Sequence, residues 1–280
     1  MKIGLIQVDG KLPNLALMKL AKFHKDKGDD VSVIDISTHK FDRLYGSKIF
    51  MGGSGYDIKQ KLPQEIEVLV PDYEKFNTDY SIGFTSRGCI RDCGFCIVKE
   101  KEGIQKDVDM SWIKHSKVIL LDNNFLASSK WKEKLQYFID NKIKVCFNQG
   151  LDIRLVTKEK AEMLAKVKYY DRKFNIRRVY FAFDDLKYEK EVKTGIKLLL
   201  EAGIKPFHIT FYILVGFNTT IEQDKYRVNV IKEFGADPYI MIYNNSKKDQ
   251  KIRNLARWVN QRYYKVIKFE DYKRDYRKGK

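Results

Sequence analysis

Apolar residues along this chain gather in short runs separated by longer amphipathic stretches. Ile3–Val8 is an apolar run of the buried-strand type. Leu15–Lys27 repeats its apolar positions at helical spacing and stops at Gly28, and Val31–Ile36 is a second strand. From Tyr80 onward the alternation is regular. Strands are predicted over Tyr80–Thr85, Lys117–Leu121, Ile143–Phe147, Arg178–Phe183, Phe207–Val215 and Tyr239–Tyr243. Helices are predicted near Lys130–Asn141, Lys158–Val167, Lys190–Ala202 and Ile221–Phe234. Apolar strands alternating with amphipathic helices imply an α/β fold whose strands are parallel and whose crossovers are right-handed. Pro63, Pro71 and the polar stretch Asp72–Asp79 mark a linker. The expected domains are 1–72, 73–245 and an extension over 246–280. Met51-Gly52-Gly53-Ser54-Gly55-Tyr56-Asp57 matches no phosphate-binding fingerprint and reads as a tight turn.

Composition adds a charge and excludes a membrane span. The 280 residues are 44% hydrophobic, and no stretch approaches the ~20 apolar residues a spanning helix needs. No targeting segment is read at the N-terminus. Four cysteines, three of them clustered, suit a reducing cytosol, so a cytoplasmic protein is expected. The formal net charge is +17. Lys247–Lys280 carries 13 Lys and Arg against 4 Asp and Glu, a net +9, interleaved with Trp258, Tyr263, Tyr264, Phe269, Tyr272 and Tyr276. Cations neutralise phosphates and rings stack on bases, so this segment suits nucleic acid, tRNA or DNA. A lysine-rich helix solvated on one face has the same composition. The spacing of Ile252, Leu255, Trp258, Val259 and Tyr263 also predicts an apolar helix face there.

The candidate chemistry lies in Thr85-Ser86-Arg87-Gly88-Cys89-Ile90-Arg91-Asp92-Cys93-Gly94-Phe95-Cys96, where three of the four cysteines are spaced C-x3-C-x2-C directly after a strand. Three thiolates so close suit three corners of a [4Fe–4S] cluster. A zinc site needs a fourth ligand at short spacing, and the nearest downstream candidates are His115 and Cys146. A disulfide within the trio leaves an odd thiol. The spacing, with Phe95 before the last cysteine, resembles the signature of the radical S-adenosylmethionine (SAM) superfamily, and this likeness covers about residues 80–245. The short N-terminal βαβ is similar to the Rossmann-like domain of cobalamin-binding members. Asp9 is followed by Gly10 and Lys11, however, so the histidine ligation motif is missing and no cobalamin is expected.

The resemblance implies a partial (β/α)6 TIM-like barrel preceded by a small Rossmann-like α/β domain. It also implies a cluster on Cys89, Cys93 and Cys96, whose open iron binds SAM. An electron from an external reductant such as flavodoxin or ferredoxin would then release a 5′-deoxyadenosyl radical that abstracts hydrogen from the substrate. Chemistry in such folds sits at the C-terminal strand ends. Asp122, Asn123 and Asn124 there stand where the family commonly has Gly-Gly-Glu, and they supply acceptors for the SAM ammonium. Gln149 and Arg154, ahead of Asp152, suit ribose and carboxylate, with loop and cap chemistry in which Asp152 and Arg154 pair to each other as the alternative, and Asp184 suits SAM or substrate. Leu214–Thr220 resembles the segment flanking adenine. Cys146 reads as a buried thiol, with a hydrogen-atom donor as the sharper alternative. The substrate expectation is a nucleic-acid or nucleotide base. A peptide or small molecule, or a binding protein without SAM cleavage, stays open.

Overall fold

The computed structural model describes residues 1–34, 40–48 and 62–273; the glycine-rich Met51–Asp57 lies outside the described residues. The chain separates into two compact units, Met1–Gly83 with Asp109–Val118, and Phe84–Val108 with Ile119–Lys280.

In the first unit, β1 (Lys2–Gln7), α1 (Leu15–Asp26) and β2 (Asp30–Ile34) form a βαβ whose strands pair in parallel, Ile3 opposite Val31 and Leu5 opposite Val33. Asn14 caps α1 by accepting the Leu17 N–H at 3.1 Å, which satisfies one of the donors a helix start leaves unpaired. A third strand, β3 (Arg43–Ser47), lies parallel on the other side of β1. Ile3, Leu5, Leu17, Leu20, Ala21, Val31, Tyr45 and Ile66 form the core. The expected linker over Asp72–Asp79 is packed at its start, with Asp72 and Tyr73 both buried. The unit also contains β4 (Ser81–Gly83).

The second unit opens with a hairpin, β5 (Ser86–Arg87), α2 (Val98–Glu102) and β6 (Lys106–Asp107). Next come β7 (Lys117–Leu120), which begins in the first unit beside β4, then α3 (Trp131–Asp140) and β8 (Lys144–Phe147). They are followed by α4 (Lys158–Lys166), the short β9 (Lys168–Tyr169) beside β8, and β10 (Val179–Ala182). The chain continues through α5 (Glu189–Glu201), β11 (Ile209–Val215), α6 (Ile221–Glu233), β12 (Asp237–Ile242) and α7 (Gln250–Asn260). Strands β10, β11 and β12 form one parallel sheet and β7, β8 and β9 lie in another. A single parallel bridge, Leu151 to Phe181, links the segment after β8 to β10. The fold is therefore mixed α/β with parallel sheets, and each strand expected after Tyr80 has a counterpart in it. Among the described residues no helix is long and apolar enough to cross a membrane.

Helix α7 covers the outer strand of its sheet. Leu255, Trp258 and Val259 are buried, and Asn260 both accepts from Ile240 N–H at 2.7 Å and donates to its carbonyl at 3.0 Å. A side-chain amide thus takes the place of a neighbouring strand at an edge that would otherwise present open backbone groups.

Candidate functional site

The cysteine loop is held at its neck before it is shaped at its tip. Ser86 and Arg87 pair antiparallel with Asp107 and Lys106, and the Val108 N–H donates to the Thr85 carbonyl at 2.9 Å. Gly88 has φ +77°, and a Cβ there would stand 2.6 Å from the Ile104 carbonyl oxygen, so the residue before Cys89 has to be glycine. Glu102, at the end of α2, accepts from Gly88 N–H, Arg87 and Asn123. Burial alone would raise its pKa, but Arg87, the Gly88 N–H and Asn123 outweigh it and hold the carboxyl below the usual range.

Asp122 and Lys134 fasten this neck to the sheet. The buried Asp122 carboxylate accepts from Thr85 N–H (2.9 Å) and Oγ1 (2.7 Å), and from Ser86 N–H (2.6 Å) and Oγ (2.7 Å). Burial still pushes its pKa up. Both oxygens are engaged by the loop, three of the four bonds falling on Oδ1, so Asp122 positions the loop. The buried Lys134 ammonium donates to the Thr85 carbonyl (2.7 Å), Asp107 Oδ1 (2.6 Å) and Ser128 Oγ (2.8 Å). All three of its protons have partners, which is the condition for burying a charge without a large penalty.

Above the neck, strand-end residues far apart in sequence converge on the cysteines. Cys89 Sγ accepts from Arg91 N–H at 3.4 Å and lies 3.7 Å from Asn124 Nδ2. Asn124 is buried, and its Oδ1 has no hydrogen-bond partner among the described residues. Asp152 accepts from Arg154 Nε (2.6 Å) and Nη2 (2.9 Å) and from Arg91 Nε (3.0 Å). Arg154 is thus forked onto Asp152, with its guanidinium over the Tyr188 ring at 4.3 Å. Burial pushes the Cys93 thiol up, Arg154 opposes it, and Cys96, Cys89 and Asp184 add to the rise. Asp184 accepts the Leu214 N–H at 2.9 Å, and burial raises its pKa as well. Phe95 meets Phe217 edge to face at 5.6 Å, and Phe217 meets Tyr243 at 4.9 Å.

Other expected residues lie elsewhere. Gln149 is exposed and has no hydrogen-bond partner among the described residues. Cys146 is fully buried in β8, and burial pushes its thiol up to about 12, so it stays protonated. Trp258 and Tyr264 are buried, Trp258 on the apolar face of α7 and Tyr264 beyond its end with the hydroxyl donating to Asp237 Oδ1 at 3.0 Å. The three thiols of the loop are free, Cys89 and Cys93 half-buried and Cys96 exposed. Among the described residues no three His, Cys, Asp or Glu side chains are close enough to hold one metal ion.

Several residues of the site carry no motif. Arg91, Glu102 and Lys134 read as ordinary surface charges. Arg227 is fully buried on α6 and donates to the Phe183 carbonyl (2.7 Å), the Leu214 carbonyl (2.6 Å) and Asp224 (2.6 Å), which fixes the strand ends that carry Asp184. A charged pair three residues apart, inside the apolar stripe with Val228 and Ile231, is the one signal that could have exposed it. Below these loops the rings of Tyr180 and Tyr212 stack at 5.3 Å, Tyr212 meets Tyr239 at 5.9 Å, and Tyr239 is exposed. No protein-family model matches this chain, and no curated protein does.

Proposed function

We propose that this chain is a radical SAM enzyme acting on a nucleic-acid or nucleotide base. The observation that carries the reading is the gathering of Asn124, Asp152, Arg154 and Asp184, from three different strand ends, around a loop with three free thiols. On this reading the linked parallel sheets are the wall of a partial (β/α)6 barrel. Cys89, Cys93 and Cys96 would hold a [4Fe–4S] cluster, since thiolates are the ligands such clusters take. When bound, the cluster and SAM together supply one-electron cleavage of the sulfonium and hence a carbon radical able to take hydrogen from an unreactive C–H bond.

The chain's own residues supply binding and orientation. The buried, unpartnered Asn124 Oδ1 fits the test for a bound cation, because an acceptor withdrawn from water without a donor is costly unless a ligand satisfies it. It would accept from the SAM ammonium. Arg154, oriented by Asp152 and Tyr188, would meet the carboxylate with Nη1, the fork nitrogen that has no partner among the described residues. Phe95 and Phe217 would wall the site. The stacked rings of Tyr180 and Tyr212, with Tyr239 edge-on to Tyr212, favour an aromatic group such as a planar base as the substrate group. A one-electron donor of the flavodoxin or ferredoxin type would be the external partner, in the cytoplasm.

Anaerobic reconstitution with iron and sulfide, followed by a dithionite-driven assay for 5′-deoxyadenosine, tests the reading. Iron loading and 5′-deoxyadenosine formation are expected in the native chain and in Cys146→Ala. Both are expected to be lost in Cys89→Ser, Cys93→Ser and Cys96→Ser. Retention of the cluster in any of those three variants, or its loss in Cys146→Ala, would refute the ligand assignment.

A further inference from the structure

We infer that the cavity between α6 and the segment after α7 is a phosphate-binding site for the backbone of a nucleic-acid strand. This deepens the nucleic-acid reading above, on which it rests. The cavity holds about 430 Å³ and is lined by Lys225 and Lys232 of α6, by Lys265 and Lys268, and by the rings of Trp258 and Phe269. Lys225 and Lys232 stand seven residues apart and therefore on one face of their helix. Lys232 Nζ sits 6.0 Å from the Trp258 ring centre and 5.6 Å from that of Tyr264. The lining includes one carboxylate, Glu270, already paired with Lys225. Lys265 reaches Asp237 at 3.2 Å. Lys232 and Lys268 have no carboxylate partner among the described residues.

Lys225 and Lys265 are paired with carboxylates, so Lys232 and Lys268 leave the lining with a positive excess that a phosphodiester would neutralise. The basic sequence also runs on from it with Lys273, Arg274, Arg277, Lys278 and Lys280. Trp258 and Tyr264 serve here as supports for the Lys232 ammonium, a cation–π role that keeps the rings buried. No residue of the cysteine loop lines the cavity, so it would anchor substrate rather than react with it.

The test measures binding of a fluorescein-labelled single-stranded RNA by anisotropy between ~50 and ~200 mM salt, using the full chain. The variants are Lys232→Gln/Lys268→Gln, Lys232→Arg/Lys268→Arg, and a control pair Lys166→Gln/Lys197→Gln from exposed positions on α4 and α5. Thermal unfolding confirms that each is folded. Each phosphate contact contributes about 0.7 to the slope of log affinity against log salt for a single strand, so the Gln pair should flatten that slope by ~1.4. Its affinity at the lower salt should drop by at least ~10-fold, the Arg pair should keep the native slope, and the control pair should change little. Equal loss in the control pair would mean diffuse surface charge and would overturn the site. So would unchanged RNA binding in the Gln pair, or loss of binding to phosphatidylserine vesicles alone. Dithionite-driven 5′-deoxyadenosine formation without RNA should be native in the Gln pair; its absence from the native chain is the separate failure of the radical SAM reading.

Discussion

Asn124 concentrates the residue-scale chemistry of this protein. It is buried beside Cys89, its amide nitrogen is within reach of a thiol and a carboxylate, and its oxygen has no donor. An amide so placed is held in one orientation by its NH2 group and has one acceptor to offer. Asn124→Ala should therefore retain iron after reconstitution but bind SAM more weakly. Loss of one charge-assisted hydrogen bond costs on the order of 1.5–3 kcal/mol, or ~10- to 100-fold in Kd. Equilibrium dialysis with labelled SAM checks this, and unchanged affinity would remove Asn124 from the site. Three cysteines at this spacing and a polar run after each strand are local facts, so Cys89, Asn124 and Arg154 were legible in the sequence. The pairing of Arg154 with Asp152 was one of the two readings open in the sequence, and the structure shows it, whereas the capture of Asp122 by Thr85 and Ser86 was not legible. A carboxylate at a strand end looks the same in sequence whether its lone pairs face a ligand or its own chain.

At the scale of elements, the hairpin that carries the cysteines depends on a few buried charges at its neck. Asp107 joins Lys134, Ser128 and Ser129. Burial alone would raise its pKa, but the Lys134 ammonium and the two hydroxyls overcome this and pull it down to about 2. Because the folded value is depressed, the ionised carboxylate adds stability that is fully present above its unfolded pKa of 3.8 and is lost as pH falls through about 2. The contribution is about 2 kcal/mol. Urea unfolding of the native chain between pH 5 and pH 2 should thus lose about this much more stability than Asp107→Asn does over the same range. Parallel losses in the two proteins would show that Asp107 does not report on the neck. Sequence periodicity found the longer helices and strands of this unit because their apolar faces repeat, but not the five-residue α2, which buries no residue. It missed β5, β6 and β9, which are two residues each and too short to show a period. It also missed β3, whose Arg43-Leu44-Tyr45-Gly46-Ser47 neither alternates nor runs apolar.

For the molecule as a whole, α7 decides how the basic C-terminal segment behaves. Burying Leu255, Trp258 and Val259 contributes roughly 1.5–3 kcal/mol each. That sum is a large part of the ~5–15 kcal/mol that holds a typical domain together. Truncation after Tyr243 should therefore lower Tm sharply and expose the β12 edge to the hydrophobic dye ANS. A truncated chain with native Tm and no added dye binding would contradict the packing described for α7. Single charge changes at Lys232 and Lys268 leave that packing intact, which is why they separate nucleic-acid binding from folding.

The order of apolar strands and amphipathic helices, the positive excess and the spacing of the cysteines are all local properties. They determined the α/β class, the parallel strands and the position of the cysteine loop without reference to any contact. Only the tertiary structure decided which polar residues are spent within the chain and which have capacity left. Asp122 and Asp152 are engaged by neighbours, Asn124 keeps an oxygen with no partner among the described residues, Trp258 turns inward, and lysines from α6 meet lysines from beyond α7 around one cavity. The physical reason is that hydrogen-bond saturation and charge crowding depend on distance in space, and residues some 40 positions apart, such as Lys225 and Lys268, share no local pattern through which a sequence could display it.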